Sequence, residues 1–551
     1  MSAPPTDSEL IEELGRRLPR RLASAVELRW ADAVSKLQGA ESKAREIEAR
    51  LRWAEMKVQL LEEKLRLRRI EKYGPGSEKL NAQQLELLEL EPGVSAAEVE
   101  AEGGRPPLPP PGGGAAAEIN PQRPPAGRPS LPAHLERRVG TITCVAGAET
   151  CAGCGGATAV IGHDVSERLE VKPAEYFVAV TRREKRACPR CPQRGVAMAP
   201  LPLAIIAKGL ASDAVVIDVV MRKYVDHLPL YRQSTGLKRE AGVDIGRATL
   251  DGWVMRVGEL LEPVARAMAD QIRAGAYIQA DETPVGVQTH AGRGKNHQAY
   301  LWQYGEPGGQ VVFDFRMGRS RAGPARFLRD FAGLLQTDGY AAYAGVGGAG
   351  MVHAGCLAHA RRKFFEAVKV NPGEALALLA VAGFDAVFAV DAAARRAGLG
   401  VAERHQLRQR EVPALLAALR DTVERARRAA LPASLLGKAA GYALAQWPKL
   451  TRFLDHPALE LSNNLAENSM RPLALGRKNW IHLGSERAAP RVAAIVSVIE
   501  SCRRLRLPTR DYLAAILPGL ADQPHAALPK LTPAAWAASR RPSQAPPPGM
   551  D

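Results

Sequence analysis

Three acidic residues, Asp281, Asp338 and Glu467, lie far apart in a chain of 551 residues, yet each sits where a side chain is easily aimed. Asp281 follows an apolar run in Ala276-Tyr-Ile-Gln-Ala-Asp-Glu-Thr-Pro-Val285, at what reads as a strand end. Asp338 closes a second apolar run in Gly333-Leu-Leu-Gln-Thr-Asp-Gly-Tyr340, before a glycine that permits a sharp turn. Glu467, in Ser462-Asn-Asn-Leu-Ala-Glu-Asn-Ser-Met-Arg471, is expected in the first turns of a helix capped by Asn463 or Asn464. Hard carboxylate oxygens from separate elements are what two divalent cations need for phosphoryl transfer, so convergence of these acids would make an enzyme that cuts and joins nucleic acid. Each acid alone also has an ordinary explanation. Aspartate is common at turns, and Asn464-x-x-Glu467 has the form of a capping box. Glu282 should face the opposite side of its strand from Asp281, so only one of the pair is expected in a site.

Cations stand close by. Arg361, Arg362 and Lys363 follow His359, Arg471 is four residues beyond Glu467 on the same helical face, and Arg477 and Lys478 follow Gly476. Their expected role is to neutralise DNA phosphates; the alternative is solvated charge, with Arg471 a helix ion-pair partner. His353 and His359 could orient a phosphate or a water, and His353 reads equally as a core histidine. A second site is formed by Cys151-Ala-Gly-Cys154 and Cys188-Pro-Arg-Cys191, whose four thiolates suit tetrahedral Zn²⁺. The 33 intervening residues fit a hairpin-bearing zinc ribbon. Cys144 is a rival ligand, and Cys356 and Cys502 read as lone core thiols.

The elements that must position these groups can be traced along the chain. Residues 1–91 are an N-terminal helical region in which 26–70 carry a heptad seam through Trp30, Leu37, Ile47, Leu51, Val58, Leu61 and Leu65; it reads as a coiled coil that should stop near Tyr73-Gly-Pro-Gly76 and would give a homo-oligomer, the alternative being one amphipathic helix packed on its own protein. Residues 92–137 are a Pro/Gly-rich linker. Residues 138–199 carry the cysteine pairs. Residues 200–275 are helical, and 229–257 resembles a helix-turn-helix with a long turn. Residues 276–510 read as a catalytic α/β unit. Its strand-like runs are Tyr277–Ala280, Ala299–Tyr304, Val311–Phe315, Leu334–Thr337 and Met351–Cys356. Three strands with short links, then helical crossovers, give the mixed sheet of a ribonuclease-H-like fold. Residues 371–455 are a helical insertion separating Asp338 from Glu467, and 511–551 hold one helix, 511–520, and a tail. The fold class is therefore multidomain α+β.

The formal charge of +16 suits a polyanion partner. The start, Met1 to Glu9, is polar and acidic with no signal-peptide pattern, and no run approaches the roughly 18 apolar residues of a membrane helix.

The long motifs narrow the reading. Asp-Glu-Thr-Pro-Val at 281–285, Gln-Thr-Asp-Gly-Tyr at 336–340, Gly-Cys-Leu-Ala-His-Ala-Arg-Arg-Lys-Phe-Phe at 355–365, Asn-Asn-Leu-Ala-Glu-Asn-Ser-Met-Arg-Pro at 463–472 and Leu475-Gly-Arg-Lys-Asn-Trp-Ile-His-Leu-Gly-Ser485 resemble the signatures of IS66-family transposases. Leu357 stands where the family often has Trp, and Thr337 where Ala is common. The resemblance implies a DDE catalytic domain of ribonuclease-H-like fold, with Asp281, Asp338 and Glu467 as catalytic acids holding two Mg²⁺ (or Mn²⁺). It also implies a zinc-finger-like module and a bacterial cytoplasmic protein working at the nucleoid. Its partners would be the element's terminal inverted repeats, target DNA and small accessory proteins of the element. The rival readings are a ribonuclease-H-like nuclease or resolvase that cuts without joining, and an inactive or domesticated DNA-binding descendant.

Overall fold

The computed structural model of the chain describes residues 13, 16–17, 19–73, 157, 175–187, 196–289, 296–480 and 482–540. The chain forms two compact units, 112–201 with 239–242, and the remainder. In the smaller unit, β1 (Lys185–Ala187) and β2 (Val196–Met198) pair antiparallel with Lys185 opposite Met198. Arg183 Nε donates to the Ala199 carbonyl at 2.7 Å, holding the ends together. Cys144, Cys151, Cys154, Cys188 and Cys191 lie outside the described residues.

In the larger unit, α1 (Arg20–Tyr73) is one helix of 54 residues that ends where Gly74 and Pro75 follow. Its apolar seam residues Trp30, Leu37, Ile47, Leu51, Val58, Leu61 and Leu65 are exposed. Ion pairs one turn apart, Lys36–Asp32 and Arg50–Glu46 at 2.7 Å, lace its surface. Three helices precede the sheet: α2 (Asp213–Tyr224), α3 (Leu230–Ala241) and α4 (Arg247–Ala274). The buried Gln233 amide ties α3 to α2 by donating to the Val219 and Leu228 carbonyls. The second helix of the expected pair runs on to Ala274, well past 257, because its apolar face stays periodic and buried through Ile272.

The sheet comprises β3 (Tyr277–Val287), β4 (His297–Gly305), β5 (Val311–Arg316), β6 (Leu334–Gln336), β7 (Val352–Ala354) and β8 (His482–Leu483). The order is β5-β4-β3-β6-β7, with β8 also on β3. β3, β4 and β5 are antiparallel; β6, β7 and β8 add in parallel. A short helix, α5 (Ala322–Leu328), packs Phe327 flat on Tyr304, with ring centroids 3.7 Å apart. The strands differ from expectation: β7 is shorter than the run Met351–Cys356, and β8 has no counterpart among the expected strands. β3 does not end at Asp281 but continues six residues further, because β4 pairs with it out to Val287.

Four helices fill the stretch between the second and third acids: α6 (Leu357–Val370), α7 (Ala375–Arg396), α8 (Val401–Ala429) and α9 (Leu435–Leu450). They share a core that includes Phe364, Phe384, Leu419 and Trp447. α7 corrects a sequence expectation: it is apolar and long enough to cross a membrane. Its role here is packing, because Phe384 and Phe388 are buried, and so is Asp391, which pairs with Arg408 of α8. The chain returns to the sheet through α10 (Asn464–Trp480) and α11 (Ala489–Arg504). Beyond α12 (Thr509–Ile516), the expected tail holds another helix, α13 (Pro533–Arg540), whose Trp536 meets Tyr512 edge-on at 5.5 Å.

Candidate active site

The site begins with a gap in the sheet. Along one edge of β3, β6 covers Tyr277–Gln279 and β8 covers Gly286–Val287, so the stretch between them has no strand beside it. α10 closes the opening: Asn463 Nδ2 donates to the Ala280 carbonyl at 3.5 Å, and Arg477 donates to the Pro284 carbonyl. In a strand the N and O of one residue point the same way, so the missing N–H of Pro284 falls on this open edge and costs no ladder bond. Asp281 lies inside the opening.

The segment that delivers Glu467 is pinned by buried polar contacts. Gln279 Nε2 donates to Ser462 O at 3.0 Å, Gln336 Nε2 to Glu460 O at 2.7 Å, and Glu460 N to the Tyr277 hydroxyl at 3.2 Å. From the other side, Arg408 Nη1 donates to Leu459 O at 2.7 Å while its Nε holds Asp391 at 2.7 Å. Arg404 and Arg395 both grip the Glu460 carboxylate. The Asn463 carbonyl then accepts the first bonds of α10, from Ala466 N and Glu467 N, which sets Glu467 in its first turn.

Asp338 follows β6. Its Oδ1 accepts from Tyr340 N at 2.8 Å, and its carbonyl accepts from the Tyr442 hydroxyl. Gly339 takes φ +86°, a conformation that favours glycine, and a Cβ there would also meet the Tyr442 hydroxyl at 3.1 Å. His359 bridges the acids: Nδ1 is 3.5 Å from Glu467 Oε1 and Nε2 is 3.9 Å from Asp338 Oδ2. Arg362 Nη2 donates to Glu467 Oε2 at 3.0 Å.

These surroundings split the acids electrostatically. Burial pushes the Asp281 carboxyl well above the usual carboxylate range, and the charges of Glu467, Glu282 and Asp338 push it further. Burial would raise Glu467 too, but His359 and Arg362 outweigh it and hold that carboxyl down at about 2. The donor set fits a hard divalent cation. Its donors are all carboxylate oxygens, Glu467 Oε1 is buried with only His359 Nδ1 near it at 3.5 Å, and Asp281 carries repulsion that a cation would relieve. Among the described residues, no three His, Cys, Asp or Glu side chains stand close enough together to hold a metal ion as they are placed, so the acids would have to draw in around one.

The remaining candidates divide. Lys363 lies 4.7 Å over the Tyr442 ring, beside the Asp338 loop, and Lys478 is exposed. Arg361 is a correction: it is buried and paired with Asp385 of α7 at 2.7 Å. Successive helical residues point about 100° apart, so α6 can offer Arg362 to the acids only by turning Arg361 inward. Arg477 is occupied by Pro284 rather than free for phosphate. Arg471 is half-buried, and Arg362 pairs with Glu467. His353 is a core histidine: Nε2 pairs with Thr337 Oγ1 at 2.9 Å, and burial lowers it to about 4. Cys356 and Cys502 are buried thiols, both pushed up to about 12 by burial.

Sequence reasoning missed Arg319. Its Nε donates to Glu282 Oε1 at 2.9 Å, and its guanidinium lies 4.0 Å over the Tyr340 ring. Tyr343 donates to the other Glu282 oxygen at 3.1 Å. Glu282 is thus consumed next to the site. Only the Asp-Gly-Tyr run hinted at this cluster; Arg319 sits in an unremarkable basic loop.

The chain matches the profile of the Transposase IS66 family over residues 208–491. Residues 148–192, which include both C-x-x-C pairs, match the zinc-finger binding domain of transposase IS66. Residues 60–139 match the profile described as Transposase C of IS166 homeodomain. Among its relatives, the uncharacterized protein y4qI of Sinorhizobium fredii is 32% identical over 424 residues, covering 74% of this chain and 77% of that protein. The uncharacterized protein y4jD of the same organism is 32% identical over 402 residues, covering 70% of this chain and 77% of that protein.

Proposed function

The chain belongs to the IS66 transposase family, and we propose that it is an active DDE transposase that binds the ends of its element, cuts them and joins them to target DNA. The observation that carries this is the meeting of Asp281, Asp338 and Glu467 at one opening of a mixed sheet, with Asp281 burdened by the charges of the other two. In this reading 276–510 is a ribonuclease-H-like unit, and α7 to α9 fill its helical insertion, 371–455. The three acids would hold Mg²⁺ or Mn²⁺, which when bound supplies electrophilic activation of the phosphate and a nucleophilic oxygen at neutral pH.

The chain's own groups have separable tasks. Asp338 and Glu467 flank His359, which can carry a proton between water and leaving group. Arg362 neutralises Glu467 and keeps it ionised. In cleavage, a water oxygen bonds to phosphorus, the P–O3′ bond breaks, and the 3′ oxygen takes a proton. In joining, that 3′-OH bonds to a target phosphorus and a target P–O3′ bond breaks, so no covalent protein intermediate is needed. The four cysteines 151, 154, 188 and 191 would hold structural Zn²⁺, and the exposed seam of α1 would pair with a second copy to bring two ends together.

The discriminating experiment supplies full-length protein, Mg²⁺ and a pre-cut end bearing a 3′-OH, with a supercoiled plasmid as target. Joined product is expected; cutting without joining would favour a nuclease or resolvase.

A further inference from the structure

A basic cavity of about 420 Å³ lies away from the acids, between α2, the start of α4 and the link from α10 to α11. Its walls carry Lys223, Arg487 and Arg491, with Asp251 the one carboxylate among its lining residues. Lys223 is half-buried, and burial lowers its pKa although Asp251 opposes this. Arg491 Nε lies 3.9 Å from Glu262 Oε1, so that cation is partly committed. His482 Nδ1, on the same wall, is buried without a hydrogen-bond partner. A half-buried ammonium and an unpartnered ring nitrogen beside further cations make a setting that an anion would complete.

The cavity's place in the fold says which anion. His482 and Leu483 ladder onto β3 at Gly286 and Val287, on the edge whose opening holds Asp281. Five strand residues from Asp281 to Gly286 span roughly 17 Å. Along α10, Glu467 to Trp480 spans roughly 20 Å. Both routes put the cavity about five or six base-pair steps from the acids, at about 3.4 Å per step. Exposed Lys478, in the last turn of α10, lies between them.

We propose that this cavity holds a backbone phosphate of the same DNA whose scissile phosphate sits at the acids, with Lys223 and Arg487 as the contacting cations. The inference rests on the transposase reading above and extends it to a second contact that fixes the DNA's register.

Gly484 makes a clean test. It is exposed on the cavity wall, and a Cβ there meets nothing within 4 Å, so a side chain can be added without repacking. The full-length protein is titrated with a fluorescein-labelled element-end duplex by anisotropy, from about 50 to 200 mM salt. Lys223→Gln and Arg487→Gln should each weaken binding by about tenfold and reduce the salt slope by about 1. Gly484→Glu should weaken binding and Gly484→Lys should tighten it, with melting temperatures unchanged. Arg420→Gln, on the distant insertion, is the control. Steep, salt-dependent binding that none of the four cavity variants alters would overturn the proposal and leave the transposase reading intact. That result would also follow if the cavity took a free nucleotide instead. Absence of salt-dependent binding by the unmodified protein would overturn both.

Discussion

The two sides of the acid site are built differently. On the sheet side, Asp281 is placed by its own strand: β4 fixes its register, and the gap between β6 and β8 opens its surroundings. Its charge is left opposed, by burial and by three other carboxylates. On the helix side, Glu467 is placed from far away, through α7, α8 and the pinned segment before α10, and its charge is answered by His359 and Arg362. One acid is cheap to position and costly to ionise; the other is the reverse. Such a pairing gives a site with one permanent anion and one carboxyl whose ionisation awaits a cation.

The sharpest way to break this contrast is to disturb the remote scaffold. Asp391→Ala leaves Arg408 buried without its main partner, and breaking such a pair costs about 3–5 kcal/mol. The protein should melt earlier by chemical denaturation and lose cleavage through displacement of the Leu459–Asn463 segment. Arg408→Met combined with Asp391→Leu should recover stability more than cleavage. If Asp391→Ala cleaves normally, the insertion does not position Glu467.

A smaller effect is expected from Arg362→Gln, which leaves the fold but removes a cation from Glu467. Divalent-cation affinity should change by about 10–100-fold, the scale for groups that orient ligands. The acid limb of stability should move as well. Because the folded value of about 2 lies below the ordinary 4.5, the stabilisation is complete above the ordinary value and is lost as pH falls through the folded one. In Arg362→Gln that loss should be smaller and should be complete at a higher pH, read by melting temperature across the acid range. Identical acid limbs would remove Arg362 from the account.

Asp281→Asn should act in the opposite sense and be smallest in stability terms. The folded value of Asp281 is raised, so its contribution is present below the ordinary carboxylate value and lost as pH rises through the folded one. At neutral pH without divalent cations the Asn variant should melt higher by a few degrees. It should also lose most of the gain that Mg²⁺ gives the unmodified protein. A lower melting temperature in metal-free buffer would contradict the opposed-charge description.

Much of the sheet side was legible in sequence because strand signals are local. The runs at Ala299–Tyr304 and Val311–Phe315 fall within β4 and β5, and the acids follow or interrupt apolar runs. The end of β3 was placed at Asp281 because the apolar run stops at Ala280, and nothing local shows that the missing N–H of Pro284 falls on an edge without a partner strand. The helix side was legible only as motif. That Arg362 and not Arg361 meets Glu467 depends on how α6 is rotated against α7, and that rotation is set by Phe364 packing on Phe384. The Arg408–Asp391–Glu460 network was invisible because its members are spread over separate helices and one loop. The cavity at Lys223 joins residues more than 250 positions apart, a proximity only the fold provides.

The most direct test of the central claim incubates full-length protein with an element-end duplex and Mg²⁺, scoring strand cleavage alongside DNA affinity for Asp281→Asn, Asp338→Asn and Glu467→Gln. The account predicts cation-dependent cleavage by the unmodified chain. Each variant should lose on the order of 10³-fold in rate, the upper scale for one electrostatic group at a reacting centre, while affinity stays within about threefold. Cleavage that survives any one of these substitutions, or that proceeds equally well in EDTA, would contradict it.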